Sequence, residues 1–337
     1  MNRSMGRNFT SPYFQNSSNS TPQAPTQIST IPLSEQVTWC VALALVAFAI
    51  IVGNTLTIAV FTRKKLLRLR ANYFLVTLAV ADLLVGAFAV PMYIHQLIFY
   101  WKTNKGTDKG TYIAYKAIDI FTGFASIFAL TIIALERLFA VMRPLRHRIV
   151  SKSTYYGLIA VVWLLSLLVA VLYFMNGFEV FKFKIFFYFI IFFIFSSLLV
   201  ICVTYALIWA NVTKEKKEKP KRESRYQEEL EQQKRSAQEK QLVTTLLILT
   251  LVFVLTWVPF YILNIVVFVN DKWESSHIPY EVFAFTKLLH YSNSFANPIV
   301  YTVRIPRFSR ILLGSFRRKK TALLESLRRP KQLASSL

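Results

Sequence analysis

The sequence predicts an all-α membrane protein: a seven-transmembrane helix bundle with a short amphipathic surface helix after the seventh helix. Three observations carry this. The apolar residues fall in seven solid blocks, each close to or above the roughly 20 residues that a helix needs to cross a bilayer core. Polar turns separate the blocks. Of the 337 residues, 54% are hydrophobic, with 29 Phe, and only 17% are charged. A soluble chain of this length would instead show alternating or striped patterns. Helix is the natural form of each block, because a backbone amide in lipid needs a partner within its own segment.

Taken in order, residues 1–36 are rich in Ser, Thr, Asn, Gln and Pro and predict an extracellular disordered tail. The tail has no apolar run, so no cleavable signal peptide is apparent and the first membrane helix is expected to target the chain. Asn8, Asn16 and Asn19 each begin an Asn-x-Ser/Thr triplet and are glycosylation candidates. Helices are expected at about 37–62, 71–98, 112–143, 153–175, 183–212, 238–270 and 279–304, which together make a transmembrane domain of 37–304. The charged loop "NVTKEKKEKPKRESRYQEELEQQKRSAQEK" is expected to extend its flanking helices, with Pro220 as a break. "RIPRFSRILLGSF" sets Arg against Phe, Ile and Leu and predicts an amphipathic membrane-surface helix over 305–318. Residues 319–337 read as a cytoplasmic basic tail. Its final "SSL" fits a peptide ligand for a domain that accepts a strand at its sheet edge.

Charge sets the orientation. With the N-terminus outside, the inner loops and C-terminal tail carry 30 of the 40 Lys and Arg residues. The positive-inside rule therefore predicts a multi-pass plasma-membrane protein, N-terminus outside and C-terminus cytoplasmic. The same bias accounts for most of the net charge of +23. A basic inner surface facing anionic membrane lipid and protein partners explains that charge more simply than a nucleic-acid partner does. Cys40 and Cys202 lie inside apolar blocks and imply no disulfide framework.

Polar residues inside membrane helices are candidates for function, since they usually face the bundle interior. Asp82 sits mid-helix in "NYFLVTLAVADLLVG", Ser126 falls two turns after Asp119, and Asn293 and Asn297 lie in "HYSNSFANPIVY". Asp82, Ser126, Asn293 and Asn297 suit either a hydrated small cation such as sodium or interhelical hydrogen bonding without an ion. Arg137 follows Asp119 by 18 residues. That is about 27 Å along a helix, nearly the thickness of the hydrocarbon core. Asp119 is thus expected toward the outer face and Arg137 at the inner face, with Glu136 close enough to pair with it.

Taken together, these residues resemble the rhodopsin-like G-protein-coupled receptors. The likeness runs from about Val37 to Phe316, with motifs in order on successive helices. They are Gly53-Asn54, "LAVADLL" with Asp82, "ERLFAVMRPL" with Glu136, Arg137 and Pro144, Trp163, Tyr205, "TWVPF" with Trp257 and Pro259, and "NPIVY" with Asn297, Pro298 and Tyr301. The pattern is closest to biogenic-amine receptors. The resemblance implies a non-enzymatic receptor that binds an extracellular small-molecule ligand and activates a heterotrimeric G protein. Arrestin and receptor kinases are further implied partners. Agonist binding is expected to move the inner end of the sixth helix outward, with Arg137, Tyr205 and Tyr301 rearranging and Glu239 releasing Arg137. The resemblance also favours sodium at Asp82, Ser126, Asn293 and Asn297 as an allosteric ion, with no other cofactor. The chain departs from the family pattern at Leu138 after Glu136-Arg137, at Ser197, at Thr256 and at Tyr112. Tyr112 stands where the family places the cysteine that ties the third helix to the second outer loop, so a looser ligand entrance is expected.

The resemblance points to a small amine as ligand. Asp119 aligns with the amine counter-ion and Tyr291 with the tyrosine that orients it. Trp257, Phe260, Tyr261 and Asn264 complete the expected ligand wall. Two features oppose a catecholamine-like ligand. The fifth helix offers Phe189 and Phe193 where catechol receptors carry serines. Lys287, one turn before Tyr291, either pairs with Asp119, which favours an acidic or zwitterionic ligand, or snorkels outward. A retinal photoreceptor is excluded, since Tyr291 occupies the position of the opsin lysine. Peptide, adenosine-like and lipid ligands remain alternatives. A transporter or channel predicts two related halves, and none is found. A membrane enzyme predicts a catalytic set, whereas His95, His147, His277 and His290 show no metal spacing.

Overall fold

The computed structural model describes residues 31–62, 72–103, 107–178, 180, 183–217, 226–269, 279–305, 308–312 and 314. It gives no side-chain detail for 183, 212–243, 246 and 280. The described chain is helical apart from its turns. The long helices are α1 (Leu33–Phe61), α2 (Asn72–Thr103), α3 (Lys109–Met142), α4 (Lys152–Gly177), α5 (Phe183–Lys217), α6 (Tyr226–Val269) and α7 (Tyr280–Arg304). Long α3 runs through the middle and packs on α2, α4, α5 and α6, while α7 packs on α6, α1 and α2 and closes the bundle.

Stretches in the first six helices are long and apolar enough to span a membrane. The faces turned away from the bundle are coated with large apolar side chains such as Phe48, Leu164, Phe192 and Leu255, each more than 60% exposed. An apolar coat of this extent belongs in lipid, so the chain is a multi-pass membrane protein. The seventh helix is less apolar overall because it is inside out. Its buried stripe is Lys287, His290, Tyr291, Ser294, Asn297 and Tyr301, while Phe285, Ile299 and Val303 face outward. The helical period places the polar set on the bundle side.

Helix ends follow local chemistry. Asp108 caps α3, accepting from the amide and hydroxyl of Thr111 at 2.8 and 2.7 Å, which starts the helix a few residues before the expected 112. These two bonds hold the Asp108 carboxyl below the usual carboxylate range. Arg143 interrupts the chain after α3, and Pro144 opens a short helix, Pro144–Ile149. Ser151 caps α4 through the amide of Thr154. In α2, Pro91 withholds the amide that the carbonyl of Ala87 would accept, and a π-helical turn, Val85–Ala89, absorbs the mismatch.

Several boundaries differ from expectation. α6 begins at Tyr226 rather than about 238, and α5 runs to Lys217, so both extend beyond the expected membrane limits as the charged loop suggested. Helical residues 308–312 lie inside the expected surface helix, with Phe308 buried against Phe61. Pro220, the final "SSL" and the glycosylation candidates Asn8, Asn16 and Asn19 lie outside the described residues.

The N-terminal end of α3 and the C-terminal end of α4 meet without a disulfide, since Cys40 and Cys202 are both free. Contact comes instead through Gly177, where an added Cβ would fall 2.5 Å from Ile113. The Tyr112 ring lies 6.4 Å from that of Tyr115.

Candidate ligand-binding site and coupling core

Three polar clusters lie along α3. The outermost joins α3 to α7. The Lys287 Nζ lies 2.6 Å from Asp119 Oδ2, and the Tyr291 hydroxyl donates to Asp119 Oδ1 at 3.1 Å. Tyr115, one turn before Asp119, places its hydroxyl 3.4 Å from that of Tyr291. Of the two dispositions open to Lys287, the chain takes the inward one. The residue is 3% exposed, with its ammonium 4.5 Å from the ring centroids of Phe260 and Tyr291 and 5.9 Å from that of Tyr93. Aromatic faces and a carboxylate together hold a cation that lipid would otherwise reject.

Below this pair, Trp257 forms the floor. It stacks on Phe253 and Tyr261 and meets His290 at 4.5 Å between ring centroids, while His290 also packs on Phe260. Gly123 on α3 lets the indole approach, because a Cβ there would sit 3.0 Å from it. Of the expected ligand wall, Tyr291, Trp257, Phe260 and Lys287 converge on Asp119, and Tyr261 supports Trp257 from the side. Asn264 is not among them: its amide donates to the carbonyl of Phe260 in its own helix at 2.6 Å. Phe193 packs on Phe124 and Phe128, and Phe189 packs on Phe193. Phe193 thus turns an aromatic ring toward α3, while Phe189 beside it is exposed. Tyr93 joins this wall beyond the expected set, as do Tyr115 and His290. Their signal was spacing, since Tyr115 precedes Asp119 by four residues and His290 follows Lys287 by three.

The middle cluster surrounds Asp82, which is fully buried. Ser126 Oγ and Ser294 Oγ donate to its Oδ1 at 3.0 and 2.8 Å, and Asn297 Nδ2 donates to its Oδ2 at 2.7 Å. Three of the four expected cation-site residues therefore meet. The fourth, Asn293, is buried but its amide nitrogen has no hydrogen-bond partner, and Ser294 takes the expected place. Asn293 and Ser294 lie four and three residues before Asn297, so both fall near its face of α7, and it is the Ser294 hydroxyl that reaches Asp82. Asn54 ties α1 to this region by donating to the carbonyl of Ser294. A cavity of about 10 Å³ links the outer and middle clusters, lined by Asp119, Ser126, Trp257, His290, Tyr291 and Ser294 among others. That volume is at the lower limit for a single water.

The inner cluster gathers around Glu136. Its carboxylate lies 3.1 Å from Arg137 Nε, 2.8 Å from His147 Nε2 and 3.4 Å from the Tyr155 hydroxyl. The local Glu136–Arg137 pair is as expected. His147 and Tyr155 are additions, brought in by the short helix that Pro144 starts and by the first turn of α4. Tyr205 of α5 reaches Thr250 of α6 beside Arg137. Tyr301 packs its ring on Phe61 and Phe308. Glu239 lies on α6, but its side chain is outside the described residues.

A buried charged site toward one end of a seven-helix bundle, a polar core beneath it and an acid–arginine pair at the other end define a seven-helix membrane receptor. Residues 53–301 match the family described as 7 transmembrane receptor (rhodopsin family), and the chain belongs to that family. A histamine H4 receptor from Rattus norvegicus is 32% identical over 41% of this chain and 35% of its own length. A 5-hydroxytryptamine receptor 2B from the same organism is 35% identical over 38% of this chain and 27% of its own. Neuropeptide FF receptor 1 from Homo sapiens is 30% identical over 47% of this chain and 37% of its own. The chain thus spans about a third of the length of the curated relatives it matches.

Proposed function

We propose that this protein is a plasma-membrane receptor, N-terminus outside and C-terminus cytoplasmic. It binds a small extracellular ligand bearing an ammonium group and answers by activating a heterotrimeric G protein. The observation that carries the reading is the setting of Asp119, a buried carboxylate bonded by Tyr291 and ringed by aromatic side chains, on the same helix as Arg137. Histamine and 5-hydroxytryptamine, named for two relatives, are amines of this kind. Neuropeptide FF receptor 1 keeps a peptide as the second reading.

The ligand's ammonium takes the place of Lys287 at Asp119. Displacing Lys287 from Phe260 disturbs the ring stack that runs through His290 to Trp257 on α6. Pro259 leaves a weak point in that helix. Its inner end then swings outward, Glu239 releases Arg137, and Arg137, Tyr205 and Tyr301 rearrange around a cleft for the G protein. Arrestin, receptor kinases and membrane lipid meet the same basic inner face. A sodium ion at Asp82 completes the reading, because one carboxylate and the Ser126 and Ser294 hydroxyls supply oxygen donors of the kind hard cations take.

The test is a panel of amines and peptides read by G-protein nucleotide exchange, repeated with Asp119→Ala. An amine response lost in that variant is the expected result, and an amine response that survives it sinks the reading. Glu239→Ala raises basal signalling at matched surface expression, and unchanged basal signalling rules out the lock.

A further inference from the structure

We infer that the ligand is a small zwitterion, an amino acid or a close analogue, whose ammonium takes Asp119 while its carboxylate takes Lys287. The inference rests on the amine-receptor reading and narrows it.

Lys287 is buried, and its ammonium is bonded to Asp119. The faces around it are rings: Phe260, Tyr291 and Tyr93. A ligand carrying only an ammonium strands Lys287 among those rings, and an unpaired buried charge is strongly unfavourable. No second carboxylate stands by to receive it among the described residues of α7. Glu281 lies six residues back, about 9 Å along the helix, and is exposed.

Lys116 makes the imbalance worse for a plain amine. It lies three residues before Asp119, holds its ammonium over the rings of Tyr112 and Tyr115, and acts electrostatically on both Asp119 and Lys287. One carboxylate thus faces two lysines, Lys287 in direct contact and Lys116 at longer range over the tyrosine rings. A monocation brings a third positive charge to that single negative one, while a zwitterion leaves the balance unchanged. It replaces one ion pair by two, the ligand's ammonium meeting Asp119 and its carboxylate meeting Lys287. Asp119 and Lys287 are in direct contact, so a ligand with amino and carboxyl groups only a few bonds apart can bridge them. Its side chain then lies against Trp257, His290 and Phe260.

The probes are the proteinogenic L-amino acids with β-alanine and γ-aminobutyrate, each beside its decarboxylated amine, such as histidine beside histamine. The readout is G-protein nucleotide exchange in membranes at matched surface expression. The expected result is activation of the wild type by at least one amino acid, with its amine at least tenfold weaker. Lys287→Met reverses that preference by tenfold or more, and Lys287→Arg keeps it, which shows that charge rather than fold is responsible. Lys287→Gln serves if the Met variant does not reach the surface. An amine as potent as its amino acid overturns the zwitterion and leaves the amine reading standing. Silence toward every amino acid also overturns the zwitterion. An amino-acid response that survives Asp119→Asn removes the amine reading itself.

Discussion

Asp119 and Asp82 are both buried carboxylates on the inside of one bundle, and the chain satisfies them in opposite ways. Asp119 meets a cation, Lys287, at 2.6 Å, with Tyr291 as second donor. Asp82 meets only neutral donors, Ser126, Ser294 and Asn297. A paired charge is neutral as a unit, so a guest must exchange for one of its members. A charge held only by dipoles remains a negative centre, so a guest cation can simply be added. On the proposed reading, the Asp119 site works by exchange and the Asp82 site by addition. A receptor needs the first for an external ligand and can use the second to bias its resting state.

The largest expected effect tests the pairing at Asp119. Either Asp119→Ala or Lys287→Ala alone leaves one buried charge without its partner and costs about 3–5 kcal/mol. Thermal unfolding of the purified receptor measures this. The double variant removes both charges together and loses less than either single change. Single variants as stable as wild type would show that the pair is not buried in the working protein.

The next effect tests addition at Asp82. Raising sodium at constant ionic strength stabilises the wild type, by up to about 2.7 kcal/mol at a hundredfold excess over the dissociation constant. Asp82→Asn abolishes that dependence, whereas Asp119→Asn preserves it. Equal sodium dependence in the two variants erases the distinction between the sites.

The sequence made the seven helices legible because lipid demands long apolar blocks, and it made Asp82, Asp119 and Arg137 legible because charge in such blocks is rare. The inward turn of Lys287 was not legible. A four-carbon side chain near a helix end can reach water or the core, and only the positions of Phe260 and Tyr93 on other helices decide which. The charged loop announced that α6 would run beyond the membrane, but not that it starts at Tyr226, because charged helix lacks the apolar signature that marked the blocks. His147 beside Glu136 depended on a turn after Pro144 that brings residues eleven apart into contact.

The smallest effect separates Ser294 from Asn293. The resemblance points to Asn293 for the proposed cation site, while in the structure the residue bonded to Asp82 is its neighbour Ser294. Ser294→Ala removes one donor to Asp82 and costs about 1 kcal/mol, since a neutral hydrogen bond contributes roughly that much. It weakens the sodium dependence as well, because one of the hydroxyl oxygens is lost. Asn293→Ala removes an amide nitrogen that already lacks a partner, so it costs less and leaves the sodium dependence intact. The two residues are adjacent in the chain and both buried, so burial alone predicts equal effects. Only the Ser294–Asp82 hydrogen bond predicts that they differ. A sodium response lost with Asn293→Ala but kept with Ser294→Ala would mean that α7 turns about 100° when the ion is bound.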